Sequence, residues 1–205
     1  LKEAEAIARQ AVAINRDDPW AHHAIAHVME TQRRTEEGIA WMEQHSDTWE
    51  RCNSMLYTHN WWHLALFYLT KNLQSVLPLY DQHVWGYANR SSPKDQVGAI
   101  ALLLRLELRG VNVGDRWSEI SRYLFPRIHE HALPFQDLHY IYALARAEHF
   151  EQAAEMLRSM QAHTHTIRPD LQQAWREVAV PAAHGMIAHA KADWSTAIAQ
   201  LKQIL

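Results

Sequence analysis

The sequence contains little cysteine, glycine or proline. Cys52 is the single cysteine among 205 residues, which excludes a disulfide framework within the chain and any zinc site built on several cysteines. One cysteine fits a reducing compartment, and we therefore expect a cytoplasmic protein. Six glycines and seven prolines exclude collagen-like and linker-like sequence.

Surplus charge and long apolar runs are also missing. Lysine and arginine total 20 against 23 aspartates and glutamates, so the formal net charge is −3. Without a basic excess to contact phosphates, nucleic acid is excluded as the main partner. No apolar run approaches the roughly 18 residues of a membrane span, so we expect no membrane partner either.

The chain is instead rich in apolar, tryptophan and histidine residues. It is 48% hydrophobic and 21% charged, a balance typical of globular proteins, and it carries nine Trp and 15 His. Its first stretch, LKEAEAIARQAVAI, has the pattern of an amphipathic helix interior and lacks the layout of a signal peptide. We therefore expect the sequence to begin inside a longer chain.

Apolar residues recur at intervals of three and four, the helical period, and no strand-like alternation persists. The pattern predicts an all-α fold in which Pro181 kinks or splits one helix. The eleven predicted helices lie at about 1–15, 18–33, 35–46, 54–71, 73–88, 94–109, 115–131, 135–147, 149–162, 170–190 and 193–204.

A repeated unit runs through these helices. A bulky residue is followed three positions later by a mostly small one and four positions after that by an apolar one. The central positions are 4, 38, 76, 120, 153 and 197, with separations of 34, 38, 44, 33 and 44. A period near 34 with two helices per unit is the tetratricopeptide signature. The short side chain is needed where the helices of a pair approach most closely.

Two stretches carry this likeness best, EHFEQAAEMLRSM (148–160) and HGMIAHAKADWSTAIAQL (184–201), which resemble the tetratricopeptide repeat superfamily. The whole chain is similar to the C-terminal part of the tetratricopeptide repeat protein 38 family. The supporting stretches lie at 18–42, 59–69, 79–84, 105–117, 135–139 and 176–181. The resemblance implies one repeat domain over 1–205, a right-handed solenoid of tetratricopeptide-like helix pairs. The resemblance implies no particular activity, because none is established for the family.

The strongest candidate site lies on the second predicted helix. Spacings of three and four place His23, His27 and Glu30 on one helical stripe. In the repeat register that the resemblance implies, Trp20 and this stripe face the concave groove. Two imidazoles four residues apart can chelate one divalent metal, with Glu30 as a third ligand or general base, although 15 histidines produce such a pair by chance.

A second pair, His59 and His63, shares a face of the fourth predicted helix within the motif HNWWH. The repeat register turns this pair toward helix packing and turns Trp61 toward the groove. A four-histidine site with Glu30 is geometrically conceivable, because neighbouring first helices of such pairs lie side by side. Hydrogen bonding between helices is the alternative interpretation of the pair.

Other polar residues are assigned structural roles. Asp137 is interpreted as an acid in the first turn of a helix, where the helix dipole favours negative charge. His129 and His131, and likewise His163 and His165, lie at predicted helix ends or loops and are expected to be exposed.

These observations leave three functional hypotheses. The first is a non-catalytic scaffold, without cofactor, that offers a groove lined by Trp20, His23, His27, Glu30 and Trp61 to a protein, peptide or other ligand. The second is a metal-dependent, hydrolytic enzyme using the five residues His23, His27, Glu30, His59 and His63. The third is a structural piece whose active residues lie upstream. If the histidines cluster, stability or binding should change between about pH 5 and 7.

Overall fold

The computed structural model describes residues 1–205, and every regular element in it is helical. The chain divides into two compact units, residues 1–111 and residues 112–205. The α-helices of the first unit are α1 (Lys2–Ile14), α2 (Pro19–Thr31), α3 (Thr35–His45), α4 (Ser54–Lys71), α5 (Val76–Leu79) and α6 (Pro93–Glu107). Those of the second are α7 (Arg116–Ser121), α8 (Pro134–Arg146), α9 (Phe150–Thr166), α10 (Pro169–Ala174), α11 (Val180–Ala190) and α12 (Trp194–Leu201).

In the first unit each long helix packs against the next along the chain, α1 on α2, α2 on α3 and α3 on α4. Helix α4 also packs against α2 and α6. The contact between α2 and α4 sets the two histidine-bearing helices side by side, and it is the packing on which the candidate site depends.

The predicted helix starts are confirmed where a capping side chain precedes a proline. The Asp18 carboxylate accepts hydrogen bonds from the backbone N–H groups of Trp20 and Ala21 at the start of α2. The Ser92 hydroxyl accepts from the N–H of Asp95 at the start of α6. Such caps satisfy amide groups that have no partner within the helix.

The repeat's small residues lie where helices meet closely. A Cβ added to Gly38 of α3 would lie 2.3 Å from the Phe67 ring of α4, and Phe67 is buried. Ala153 and Ala197 are buried as well. Ala4 is an exception to the expected pattern, because it is exposed and Ala8, one turn later, is the buried residue of α1.

Two predicted helices are shorter than expected. The prediction for 73–88 gives only the four residues of α5, preceded by a 3₁₀ turn and followed by a π turn at Tyr80–Val84. The prediction for 115–131 gives α7 and then a 3₁₀ turn at Phe125–Arg127. Each segment contains a proline, Pro78 within α5 and Pro126 within the 3₁₀ turn, in the first turn where a missing amide is tolerated.

In the second unit α7 packs on α8 and α8 on α9, while α11 packs against α8, α9 and α12. The expected break at Pro181 is confirmed, because a π turn at Trp175–Ala179 separates α10 from α11. A Cβ on Gly185 would lie 2.7 Å from Cγ of Leu201, so α11 and α12 approach closely there.

The observed architecture is therefore all-α with packing between consecutive helices inside each unit. None of the helices combines the length and the apolar character needed to span a bilayer. The expectation of one repeat domain over 1–205 stays a prediction.

Candidate metal centre

Helices α2 and α4 bring four histidines together. His23 and His27 lie one turn apart on α2, and His59 and His63 lie one turn apart on α4. One ring nitrogen from each of the four lies within 4.8 Å of the other three. The two pairs that the sequence offered as separate features therefore form a single cluster, which we call the four-histidine cluster.

The imidazole rings of the cluster are in mutual contact. Nε2 of His27 lies 3.0 Å from Nε2 of His23. The ring centroid of His63 lies 4.4 Å from that of His27, 4.9 Å from that of His23 and 4.7 Å from that of His59. His63 therefore touches all three other rings, and so does His23, which lies 4.4 Å from His27 and 4.9 Å from His59.

His63 is buried without a hydrogen-bond partner. Its side chain is 1% exposed, and neither ring nitrogen makes a hydrogen bond. His22, which is 0% exposed, is the opposite case: one ring nitrogen lies 2.8 Å from the carbonyl oxygen of Arg16, and the other accepts from the indole of Trp49. Buried polar groups are nearly always paired, which makes the ring nitrogens of His63 candidates for binding an ion.

Glu30 adjoins the cluster on the α2 side. Its Oε2 lies 3.5 Å from Nδ1 of His63, and its side chain is 41% exposed. A carboxylate beside the Nδ1 of a histidine fixes the tautomer that leaves the Nε2 lone pair for a metal. Contact with His63 lowers the pKa of Glu30, so the carboxylate is ionised at neutral pH.

The electrostatics of the site favour neutral imidazoles, the form that binds metals. Burial, followed by the neighbouring rings His63, His59 and His27, lowers the pKa of His23 to about 3. Burial, and then His63, lowers the pKa of His59 to about 4 and acts in the same direction on His27. These rings carry lone pairs at neutral pH, and metal binding there need not displace protons.

The geometry fits a small divalent ion. Zinc binds histidine nitrogens at about 2.0–2.1 Å in a tetrahedron, in which nitrogens lie roughly 3.3 Å apart. The His23–His27 pair, at 3.0 Å, is already near this spacing. The widest separations, up to 4.8 Å, exceed this spacing, so metal binding would have to draw those rings closer together. Imidazole ligands suit zinc, copper, nickel and iron better than calcium or magnesium.

The two tryptophans expected in the groove occupy different places. Trp20 is 55% exposed and its ring contacts His23 edge-on at 5.6 Å. Trp61 lies instead against Trp49 and stacks on His83 at 3.8 Å, whereas His59 and His63 face α2. His63 is thus buried in the packing of α4 on α2, which agrees with the helix-packing face expected for this pair, and the expected groove position of Trp61 stays a prediction.

The second unit contains a polar network that sequence reasoning missed. His131, expected to be exposed, is 6% exposed, and its Nδ1 lies 2.5 Å from Oδ2 of the buried Asp137. Its Nε2 lies 2.7 Å from the hydroxyl of Ser159, which also contacts Nδ1 of His129 at 2.9 Å. Asp137 does lie in the first turn of α8, as expected, but as the partner of a histidine.

This network has the order of a serine–histidine–aspartate triad without its surroundings. Ser159 lies in the middle of α9, where backbone amides are engaged in the helix, so the local backbone offers no oxyanion hole. His131 has a positive φ of 45° and ends the loop before α8. We assign the network a structural role, in which Asp137 and Ser159 hold this loop against α8 and α9.

The chain matches no known protein family model and no solved structure. Its fold and its site must therefore be interpreted from their own geometry.

Proposed function

We propose that the first unit is a metal-binding module, with the four-histidine cluster as the ligand set for one divalent transition-metal ion. The observation that carries the proposal is the convergence of four ring nitrogens around the buried and unpaired His63. Zinc is the best candidate, because it is commonly bound by imidazole nitrogens in a four-ligand tetrahedron. Glu30 would then orient His63 as a carboxylate behind the ligand.

The proposal is tested by titrating metal-free protein with Zn²⁺ in a calorimeter and with Co²⁺ by visible absorption. We expect one ion per chain and the intense visible absorption of tetrahedral cobalt. His27→Ala, which alters an exposed ligand, should weaken binding strongly, and His59→Ala and His63→Ala should do the same. His83→Ala is the matched control, because His83 stacks on Trp61 outside the cluster.

The proposal is overturned if the wild type binds no zinc, or if the cluster variants bind it as tightly as the wild type. A thermal melt of each metal-free variant separates lost ligation from lost folding. Among the cluster variants His27→Ala is the decisive one. His27 is exposed, so its replacement is the least expected to unfold the protein.

A hydrolytic activity is the catalytic extension of this site. It requires that water take the place of one histidine, because a closed tetrahedron of four imidazoles has no open position. A metal ion can lower the pKa of such a water to near 7, and Glu30, which adjoins the cluster, would accept its proton. Hydrolysis of an activated ester that needs zinc and is lost in Glu30→Gln supports this extension. Zinc binding without turnover limits the site to a metal-binding role.

A scaffold role is the second candidate, and the exposed Trp20 beside His23 favours it. We propose in this case that the helix pairs form a tetratricopeptide-like solenoid of the tetratricopeptide repeat protein 38 type, whose groove binds a protein or peptide. An exposed aromatic ring is a common anchor in such contacts. Peptides selected on the metal-free wild type should lose binding to Trp20→Ala if this role applies, and equal binding contradicts it.

A further inference from the structure

An arginine-rich cleft opens beside the candidate metal centre. Its volume is about 380 Å³, and Glu30 is part of its wall, as it is of the metal site. Three arginines supply its positive charge, Arg33, Arg105 and Arg109. Apolar side chains of α4 complete the lining, so the cleft has an apolar wall facing a charged one.

The three guanidinium groups of the cleft make no ion pairs. Arg105 donates one hydrogen bond to the carbonyl of Ala101 at 2.9 Å, and Arg109 donates one to the carbonyl of Arg105 at 3.3 Å. Arg34, next to Arg33 in sequence, pairs with both Glu5 and Glu37. Most N–H donors of Arg105 and Arg109 therefore remain available, and a guanidinium offers five.

Arg105 is held in place by an aromatic ring. Its guanidinium carbon lies 5.4 Å from the ring centroid of Trp62, and Trp62 in turn stacks nearly parallel on His59 at 5.5 Å. Burial lowers the pKa of Arg105 from its usual value, although the side chain stays charged. The charge of Glu30 offsets part of this effect, but Arg105 forms no ion pair with it, so a bound anion would stabilise the partly buried cation.

We propose that this cleft binds the phosphate group of a small phosphate-bearing ligand, next to the metal ion. Three guanidiniums face a single carboxylate, Glu30, which leaves an excess positive charge suited to a phosphate dianion better than to a monoanionic carboxylate. Arginine matches phosphate oxygens through paired hydrogen bonds. The ligand's position relative to the metal depends on the proposed metal centre, whereas the arginine contacts do not.

The test is calorimetric binding of methylphosphonate to metal-free and zinc-loaded protein, with acetate as the carboxylate probe. We expect methylphosphonate to bind more tightly than acetate, and zinc to strengthen its binding. Arg105→Gln and Arg109→Gln should each weaken methylphosphonate binding about tenfold or more. Arg51→Gln, an exposed arginine outside the cleft, should leave it unchanged.

The cleft proposal is wrong if Arg105→Gln and Arg109→Gln keep the wild-type affinity for methylphosphonate, or if acetate binds equally well. Arg105→Lys separates lost binding from lost folding. This variant keeps the positive charge and should retain part of the affinity for methylphosphonate. The two proposals fail separately. Arginine-dependent binding in a protein that takes no zinc refutes the metal centre alone, and zinc binding with arginine-independent methylphosphonate binding refutes the cleft alone.

Discussion

Nδ1 of His63 lies 3.5 Å from the carboxylate of Glu30, on a ring that is 1% exposed and has no hydrogen-bond partner. The carboxylate belongs to α2 and the imidazole to α4. We propose that His63 is a metal ligand and that Glu30 orients it. Glu30 also connects the histidine cluster to the arginine-rich cleft, because it borders both.

The first prediction concerns this contact. Glu30→Gln removes the negative charge beside His63 and should weaken zinc binding about 10–100-fold, as changes behind metal ligands do. Competition with a chromogenic chelator measures the affinity. Glu36→Gln is the control, since Glu36 is exposed and pairs with Lys71 away from the cluster. Equal zinc affinity in wild type and Glu30→Gln would show that Glu30 does not act on the site.

The second prediction is a pH dependence of the metal-free protein. The pKa of His23 is about 3 and that of His59 about 4 when folded, against 6.5 as the ordinary value, because of burial and neighbouring rings. Below pH 6.5, His23 and His59 therefore bind protons in the unfolded chain, whereas they stay neutral in the folded chain. The free energy of unfolding should fall as pH drops from about 6.5 toward 4, by at most about 1.4 kcal/mol per pH unit for each histidine.

Urea unfolding of the metal-free protein at several pH values measures this slope. His23→Ala removes one of the groups responsible and should make the slope shallower. A stability that is flat between pH 7 and 4 in the wild type would contradict the clustering of neutral imidazoles.

The third prediction uses two glycines in helices. Gly38→Ala places a Cβ against the buried Phe67 ring, so overpacking should outweigh the better helix propensity of alanine and destabilise the protein by about 1–3 kcal/mol. Gly98→Ala is the matched change, because its Cβ would have Trp62 no closer than 4.0 Å. It should stabilise by about 0.5–1 kcal/mol. Chemical denaturation distinguishes the two, and equal effects would contradict the close approach of α3 and α4.

The fourth prediction addresses the buried network of the second unit. Asp137→Asn weakens the contact with His131 between two buried side chains and should cost about 2–3 kcal/mol of stability. Asp47→Asn breaks an exposed pair with Arg16 and should cost clearly less, because solvent screens exposed charges. Similar losses in the two variants, measured by denaturant unfolding, would show that the network does not stabilise the fold.

Much of the local structure could be predicted because its causes lie within a few residues. Proline and capping side chains mark where α2 and α6 begin, and the three-and-four spacing places His23 and His27 on one face. The segments 73–88 and 115–131 show where the period alone misleads, since the apolar spacing continues through stretches that the structure divides into short helices and turns.

The joining of the two histidine pairs depends on distances that spacing does not encode. His27 and His63 meet because α4 packs directly on α2, although α3 lies between the two helices in the sequence. The rotation of α4 about its axis decides whether His63 or Trp61 faces that contact. His131 reaches Asp137 through a left-handed residue in a loop, a conformation that carries no periodic signal.

X-ray absorption at the zinc edge of the zinc-loaded protein tests the central claim most directly. The account predicts one zinc per chain with a shell of four imidazole nitrogens at about 2.0–2.1 Å, and a nitrogen lost from that shell in His27→Ala. A shell dominated by oxygen, or a shell that His27→Ala leaves unchanged, would place the metal elsewhere and contradict the four-histidine centre.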